Sequence, residues 1–188
     1  MWNEDKIISY LKCNLKEKRF IHSIGVRDTA EKLAVRYKID SHKARIAGLV
    51  HDCAKNLSDE ALLKIVMQEN KQVDKVCKVQ PQLLHGEAGS IMAKNIMNIF
   101  DDEILSAVKY HTTAKENMTI LEKIIYIADY IEPSRDFQGV EKLRQLVFED
   151  LDRALIQSFD NTIKFVISKK QLIHPCTISA RNYLILER

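Results

Sequence analysis

The amino-acid sequence predicts an all-α domain. Only five glycines and three prolines interrupt 188 residues, and apolar side chains recur at helical spacing almost throughout, so that strands are hard to find. Apolar residues make up 46% and charged residues 29% of the chain, a balance typical of a globular protein with its own core. We therefore expect residues 1–188 to form a single domain.

The first third of the chain predicts three helices. The first is marked by the apolar residues Ile7, Ile8, Leu11 and Leu15. The second runs from about Glu17 to Tyr37, with Ile21, Ile24 and Leu33 expected to face the core. Asp40 or Ser41 can cap the third, which ends near His51-Asp52.

The middle of the chain predicts three more helices. Ser58 is a candidate cap for the first of them, which runs through Val66. The segment from Lys71 to Pro81 is polar, and we expect it to be an irregular, flexible flap near the site. His85 opens the next helix, in which small residues such as Gly86 permit close packing. Asp101 and Asp102 favour the start of a helix that ends at His111-Thr112-Thr113.

The last third begins with a capping box, Thr119 to Glu122, which predicts the start of a helix carrying Asp129 and stopping before Pro133. Residues 134–139 are expected to form a loop. Apolar stripes after Gly139 predict two further helices. Thr177 is expected to start the last helix.

The most informative dipeptide is His51-Asp52, because it follows six mostly apolar residues and is therefore expected to be buried. Burying an unpartnered polar group costs roughly 2–7 kcal/mol, and a charge costs more. A bound cation is an economical partner, since adjacent side chains at the end of a helix can both reach one ion. For the dipeptide alone, a hydrogen-bonded structural pair is the alternative.

Three other histidines, His22, His85 and His111, also lie in or beside apolar helical segments, and so does Asp129. His42 and His174 instead lie beside a helix cap and before a proline, where we expect surface or loop residues. A set of imidazoles and carboxylates without a thiolate suits iron, manganese, zinc or nickel better than a structural Cys-type zinc site. The pattern therefore predicts a catalytic metal centre.

Two basic residues lie close to this set in the sequence. Lys55 follows Asp52 by about one helical turn and could stand over the site, although a solvated lysine is an equal alternative. Arg135 suits anionic oxygens because its planar fork binds phosphate bidentately, and a pair with Asp136 is the alternative. We interpret Cys53, next to the dipeptide, as a buried core residue rather than a nucleophile.

Charge and composition exclude little. A formal net charge of +3 is too small to argue for a nucleic-acid or membrane partner. The charged amino terminus lacks an apolar signal region, and no apolar run approaches the ~20 residues that span a bilayer. The four cysteines show no CxxC spacing, which favours reduced thiols and a cytoplasmic location.

The spacing H…HD…D in a helical chain resembles the HD-domain superfamily of metal-dependent phosphohydrolases, which implies an HD-domain helical bundle with a metal site at its centre. Longer motifs resemble its YqeK-type branch, the symmetrical diadenosine tetraphosphate hydrolases. They are His22-Ser23, His51-Asp52-x-Ala54-Lys55, His85-Gly86, Tyr110-His111-Thr112-Thr113 and the stretch from Ile127 to Asp136. One departure is Ala114-Lys115, where many such relatives carry Gly-Arg.

The resemblance implies that iron, or a similar ion such as manganese, zinc or nickel, is bound by His22, His51, Asp52 and Asp129. A second ion on His85 and His111, with Asp52 bridging, is the other arrangement, and the sequence leaves the number of ions open. The resemblance also implies that a dinucleoside polyphosphate contacts His22, Lys55, His85, His111, Thr112, Asp129, Arg135 and, in the turn from Lys170 to Pro175, Gln171.

These residues predict attack of metal-activated water on a central phosphorus, releasing two ADP, with Asp52 orienting or deprotonating the water and Lys55 among the groups that stabilise the phosphate. One alternative is another HD chemistry, either hydrolysis of a nucleotide such as guanosine pyrophosphate or oxidation at a diiron site. The other is a non-catalytic module that binds metal or nucleotide. We expect no nucleic-acid or membrane partner, and a homodimer is the candidate assembly.

Overall fold

The computed structural model describes residues 1–187, in which eleven α-helices and one 3-10 helix, without strands, follow one another. The α-helices are α1 (Glu4–Asn14), α2 (Glu17–Arg36), α3 (Ser41–Val50), α4 (Asp59–Gln68), α5 (Lys75–Val79), α6 (His85–Asn95), α7 (Asp102–Tyr110), α8 (Ile120–Ile131), α9 (Val140–Glu149), α10 (Leu151–Ser168) and α11 (Pro175–Leu186). The 3-10 helix, Pro81–Leu84, leads directly into α6. The predicted all-α class is confirmed.

Side-chain caps explain most helix starts. The Asp40 carboxylate accepts hydrogen bonds from the backbone N–H groups of His42 and Lys43 at the start of α3. At α8 the complete capping box is present, because Thr119 and Glu122 each accept from the other's backbone N–H. These caps satisfy N–H groups that have no partner within their helix, and so they confirm the predicted starts.

Three predictions about local structure were wrong. Ile21 is 54% exposed, because the buried face of α2 follows His22 and Val26 and a neighbour points about 100° away from it. The segment from Lys71 to Pro81 is not irregular throughout, since Asp74 caps the short helix α5. The last helix begins at Pro175 rather than Thr177, with His174 as its N-cap.

One continuous hydrophobic core runs from Ile7 in α1 to Leu184 in α11. A second, smaller core lies between α4, α5 and α6 and includes Leu62, Cys77 and Ala88. In the centre, α3 packs against α2, α7 and α8. None of the helices in residues 1–187 has both the length and the apolar character needed to cross a membrane.

Two glycines allow the central helices to approach closely. A Cβ atom at Gly48 would lie 2.9 Å from Arg27 Cα, where α3 crosses α2. A Cβ atom at Gly86 would lie 2.5 Å from the Lys109 carbonyl oxygen, where α6 crosses α7. Glycine at these positions therefore sets the distances between the helices that carry the polar residues described next.

Candidate metal centre

Four buried histidines meet at the centre of the bundle, and each has its Nδ1 atom bound to an acceptor. Three of them follow the end of a helix and bond to the carbonyl oxygen three residues earlier: His51 to Gly48 (2.7 Å), His85 to Gln82 (2.5 Å) and His111 to Val108 (2.7 Å). His22, within α2, contacts Glu132 Oε1 at 3.0 Å. Because these oxygens only accept, each Nδ1 carries a proton, and Nε2 is the ring nitrogen that is left to bind a cation, either a proton or a metal ion.

These Nε2 atoms face one another in pairs. His22 Nε2 lies 3.2 Å from His51 Nε2, and His85 Nε2 lies 3.0 Å from His111 Nε2. All four side chains are buried. Two lone pairs at such distances repel each other, and a cation between them would remove the repulsion. The histidines therefore fit a metal ion as the group that they surround.

The carboxylate of Asp52 lies between the two histidine pairs. Its Oδ2 atom is 3.6 Å from His22 Nε2 and 3.4 Å from His51 Nε2. Its Oδ1 atom is 3.2 Å from His85 Nε2 and 3.5 Å from His111 Nε2. One oxygen thus serves each pair, which is the arrangement that a bridging carboxylate requires.

Asp129 completes the first pair. Its Oδ1 atom lies 3.0 Å from His22 Nε2 and 4.0 Å from His51 Nε2. Ligand atoms bonded at about 2.0–2.2 Å to one ion lie roughly 3–3.6 Å apart, so most of these separations match a common ion. We call His22, His51, Asp52, His85, His111 and Asp129 the His/Asp cluster.

The charges of the cluster also suit a cation. Burial alone would raise the pKa of Asp52, but the charge of His51 and hydrogen bonds with His111, His51 and His85 hold it well below its usual range. Burial is likewise outweighed at Asp129, where the hydrogen bond with His22 lowers the pKa. Burial lowers the pKa of His85 to about 4. At neutral pH the site therefore offers two carboxylates and at least one neutral imidazole.

Lys55 and Arg135 stand at the rim of the His/Asp cluster. Lys55 Nζ is 3.3 Å from His85 Nδ1 and half-buried, so the solvated alternative is wrong. Its pKa is lowered, mainly by burial. Arg135 donates to Asp129 Oδ1 at 2.5 Å and to the Asp129 carbonyl oxygen at 2.8 Å. Its partner is therefore Asp129 and not Asp136, which was the sequence-based alternative.

Thr112 lies against the second histidine pair. Its hydroxyl oxygen is 2.9 Å from His85 Nε2 and 3.0 Å from His111 Nε2. Ala114 and Lys115, where many relatives carry Gly-Arg, follow soon after Thr112 in the sequence. The Lys115 side chain does not contact the cluster, because its Nζ atom contacts Glu122 Oε1 at 3.0 Å. Ala114 has φ = 59°, a left-handed conformation that favours glycine, which accounts for the glycine expected there in relatives.

Two site residues were missed by the sequence interpretation. Glu132 is 1% exposed and holds His22 in place. Arg19 donates from Nη1 to Asp52 Oδ2 at 2.6 Å. Helical spacing could have suggested both, because Arg19 precedes His22 by three residues and Glu132 follows Asp129 by three.

A cavity of about 440 Å³ lies between Leu84, Tyr110, Thr113 and His174, and none of the residues that line it belongs to the His/Asp cluster. Leu84, Tyr110 and Thr113, the chain neighbours of His85, His111 and Thr112, form part of its wall. His174 also lines it, whereas Gln171 is exposed in the turn after α10. The substrate role of Gln171 stays a prediction. Cys53 is buried, as expected, and contacts the Gly89 carbonyl oxygen.

Comparison with known proteins gives a consistent result. The HD domain family matches residues 19–134. The symmetrical bis(5'-nucleosyl)-tetraphosphatase of Bacillus subtilis (strain 168) is 40% identical over 97% of this chain and 98% of its own. The protein of the same description from Staphylococcus aureus (strain NCTC 8325 / PS 47) is 36% identical over 96% of this chain and 94% of its own.

A solved structure is also similar over its full length. It is a crystal structure from Clostridium acetobutylicum, described as a predicted HD superfamily hydrolase involved in NAD metabolism. It has 54% sequence identity, a TM-score of 0.98 and 100% coverage of both chains. The matched family region, residues 19–134, contains every member of the His/Asp cluster.

Proposed function

This chain belongs to the HD domain family, and from that premise we propose that it is a metal-dependent hydrolase that cleaves diadenosine tetraphosphate symmetrically into two ADP. The observation that carries the proposal is the buried Asp52 carboxylate, whose two oxygens face two histidine pairs with Lys55 beside them. Full-length similarity to two proteins described as symmetrical bis(5'-nucleosyl)-tetraphosphatases supports the substrate.

We assign His22, His51, Asp52 and Asp129 as the residues that would hold one ion, and Asp52, His85 and His111 as those that would hold a second. Iron is the metal we expect, and manganese, zinc or nickel would accept the same nitrogen and oxygen donors. When bound, such an ion supplies Lewis acidity and lowers the pKa of water to about 7.

The protein groups divide the remaining work. Hydrolysis adds a water oxygen to one central phosphorus, while the bridging oxygen leaves with the other ADP. Asp52 is ionised and central, so it orients the attacking water or accepts its proton. Lys55 and Arg135 bring positive charge to phosphate oxygens as the leaving ADP gains negative charge. The hydroxyl of Thr112 lies on the same side as Lys55 and completes the phosphate contacts, in which His85 would take part if a single ion were bound.

The cavity lined by Leu84, Tyr110 and Thr113, the chain neighbours of His85, His111 and Thr112, is the candidate nucleotide pocket. Its volume of about 440 Å³ lies within the range of small-molecule sites, and its wall combines apolar and polar side chains. A nucleoside held there would fix which phosphoanhydride bond reaches Asp52. Cleavage is symmetrical if that pocket accepts adenosine together with the two phosphates that are attached to it.

Three wider properties belong to the same proposal. Residues 1–188 form one HD unit, which the continuous core from α1 to α11 supports. The location is cytoplasmic, which is compatible with four free cysteines. The assembly is a homodimer, which light scattering of the purified protein would check.

The proposal is tested by anaerobic purification, metal analysis and product analysis with diadenosine tetraphosphate. We expect ADP as the product from the wild type, loss of metal and activity in His51→Ala, and loss of activity in metal-supplemented Asp52→Ala. His42→Ala is the matched control, because His42 is an exposed histidine at the start of α3.

Other products would identify the alternatives. AMP plus ATP would reject the symmetrical assignment, and unchanged activity in Asp52→Ala would reject the role of Asp52. Cleavage of guanosine pyrophosphate in its place would indicate a different HD hydrolase. Oxygen-dependent turnover would indicate a diiron oxidase, and tight nucleotide binding without turnover would indicate a binding module.

A further inference from the structure

We propose that Arg19 is a substrate-binding residue that holds a phosphate oxygen on the Asp52 side of the His/Asp cluster. The inference rests on the proposed function and adds a residue to its polyphosphate site. Arg19 lies on α2, one turn before His22, so both side chains share a face of the helix. Its Nη1 atom is 2.6 Å from Asp52 Oδ2, and its side chain is 30% exposed.

The hydrogen-bond donors of Arg19 are mostly unused. A guanidinium carries five N–H donors in a planar fork. Among residues 1–187, Asp52 is the acceptor found for the Arg19 side chain, and it takes a single bond. Arg45, by contrast, uses three nitrogen atoms on Glu4 and Glu31. Arg19 is therefore held at one edge by a buried carboxylate while its other donors are available to a ligand.

The surrounding charges favour an anionic ligand. Three cations contact the cluster: Arg19 contacts Asp52, Lys55 contacts His85 and Arg135 contacts Asp129. Asp52 and Asp129 are the carboxylates that pair with the two arginines. Metal ions on these carboxylates would withdraw part of their negative charge from the cations. A polyphosphate supplies the charge and the oxygen acceptors that planar guanidinium groups bind bidentately.

Arg19 also differs in position from the other two cations. Lys55 contacts His85, in the half of the cluster served by Asp52 Oδ1. Arg19 contacts Oδ2, the oxygen that serves His22 and His51. A phosphate chain that crosses Asp52 would therefore meet one cation on each side, which suits a substrate cleaved at its centre.

The test measures ligand binding separately from turnover. Wild type, Arg19→Gln, Arg19→Lys and the control Arg36→Gln are loaded with manganese, and ADP and inorganic pyrophosphate are titrated by calorimetry. Arg36 lies at the far end of α2, where its Nε donates to the Phe148 carbonyl oxygen. Metal affinity is measured by chelator competition, and kcat and KM are measured with diadenosine tetraphosphate.

We expect Arg19→Gln to bind ADP and pyrophosphate about 10- to 100-fold more weakly, as for loss of a charge-assisted hydrogen bond. Arg19→Lys should recover part of the affinity, Arg36→Gln should match the wild type, and metal affinity should fall less than ADP affinity, because the glutamine amide keeps an N–H donor for Asp52. Thermal unfolding of each variant checks that it is folded.

Two results would overturn the inference: unchanged ADP affinity in Arg19→Gln, or a loss of metal affinity with normal ADP binding once metal is saturating. The second result would make Arg19 a positioning residue for Asp52. Arg19-dependent ADP binding in a wild type that does not cleave diadenosine tetraphosphate would uphold the inference and reject the proposed function. Symmetrical cleavage by the wild type, with ADP affinity and kcat/KM unchanged in Arg19→Gln, would uphold the proposed function and reject the inference.

Discussion

Replacing Glu132 with glutamine tests whether the support of a metal ligand matters as much as the ligand. The carboxylate accepts from His22 Nδ1 at 3.0 Å, from the Ser134 backbone N–H at 2.7 Å and from the Ser134 hydroxyl. Burial would raise the pKa of Glu132, but the hydrogen bonds from Ser134 and His22 hold it below the usual value. The group is therefore an anion that fixes the ring of His22.

Glutamine keeps the shape of the side chain but has one acceptor oxygen where the carboxylate has two. Either His22 or the Ser134 N–H then loses its partner, and the negative charge that increases the basicity of His22 is lost in both cases. Loss of such a support costs typically 10- to 100-fold in metal affinity, which is about 1.4–2.7 kcal/mol. We expect this loss in Glu132→Gln, with normal metal stoichiometry at saturation, measured by chelator competition.

Glu122 provides the control, because it is a buried glutamate in α8, the helix that Glu132 caps at its carboxyl end. Its carboxylate accepts from the Thr119 N–H at 2.7 Å and contacts Lys115 Nζ at 3.0 Å. Glu122→Gln should lower the free energy of unfolding by about 1–3 kcal/mol, as for a buried donor left unpaired, and leave metal affinity unchanged. The reasoning would be refuted if Glu132→Gln kept the metal affinity of the wild type, or if Glu122→Gln lost as much metal affinity as Glu132→Gln.

Two further predictions follow from the packing and the charges. Gly86→Ala should lower the melting temperature and the activity together, because its Cβ would lie 2.5 Å from the Lys109 carbonyl oxygen, and backbone cannot move aside cheaply. Gly139→Ala should cost only about 1–2 kcal/mol of stability and no activity, since φ is +92° there with no atom within 4 Å of the added Cβ. A pKa of about 4 at His85 lies below the unfolded value of about 6.5, so the unfolded chain binds more protons between these values and stability falls as pH decreases. The free energy of unfolding of the metal-free protein, measured with urea, should fall by about 2 kcal/mol between pH 7.5 and pH 5 because of this group. In His85→Asn the fall should be smaller by about 2 kcal/mol.

Local rules were sufficient for most of the fold. The caps at Asp40, Ser58 and Thr119 act on backbone groups within three residues of themselves, so their effect can be predicted from a short window. The short helix α5 was missed because five residues, Lys75–Val79, show no clear period. Its place depends on Cys77, which is buried in the smaller core together with Leu62 of α4. This packing joins residues that are distant in the sequence, so a short window of sequence does not predict it.

The sequence predicted the candidate metal-ligand residues of the site, but not the residues that hold those ligands in place by hydrogen bonds. A buried histidine or aspartate is conspicuous among apolar neighbours, as at His51 and Asp129. Arg19 follows the charged pair Glu17-Lys18, and Glu132 lies at the start of a predicted loop, so either could equally be a solvated side chain. Their importance comes from partners that are distant in sequence: Arg19 meets Asp52 33 residues later, and Glu132 meets His22 110 residues earlier. Only the packing of α2 against α3 and α8 makes these pairs.

The ends of α3 and α7 explain why histidine suits this site in particular. Both helices end in the interior, where their last carbonyl oxygens need donors and carry partial negative charge that favours a cation. His51 and His111 supply the donor from Nδ1, and the same bond leaves each Nε2 free to bind that cation. His174 shows the opposite arrangement: its Nδ1 accepts from the Cys176 N–H at 3.2 Å, so its Nε2 carries a proton and donates to Asp74 at 3.3 Å. Asp74, Cys77 and His174 lie as close together as metal ligands do, but the tautomer of His174 makes them a hydrogen-bonded helix cap, whereas the tautomers of His51 and His111 make a cation site.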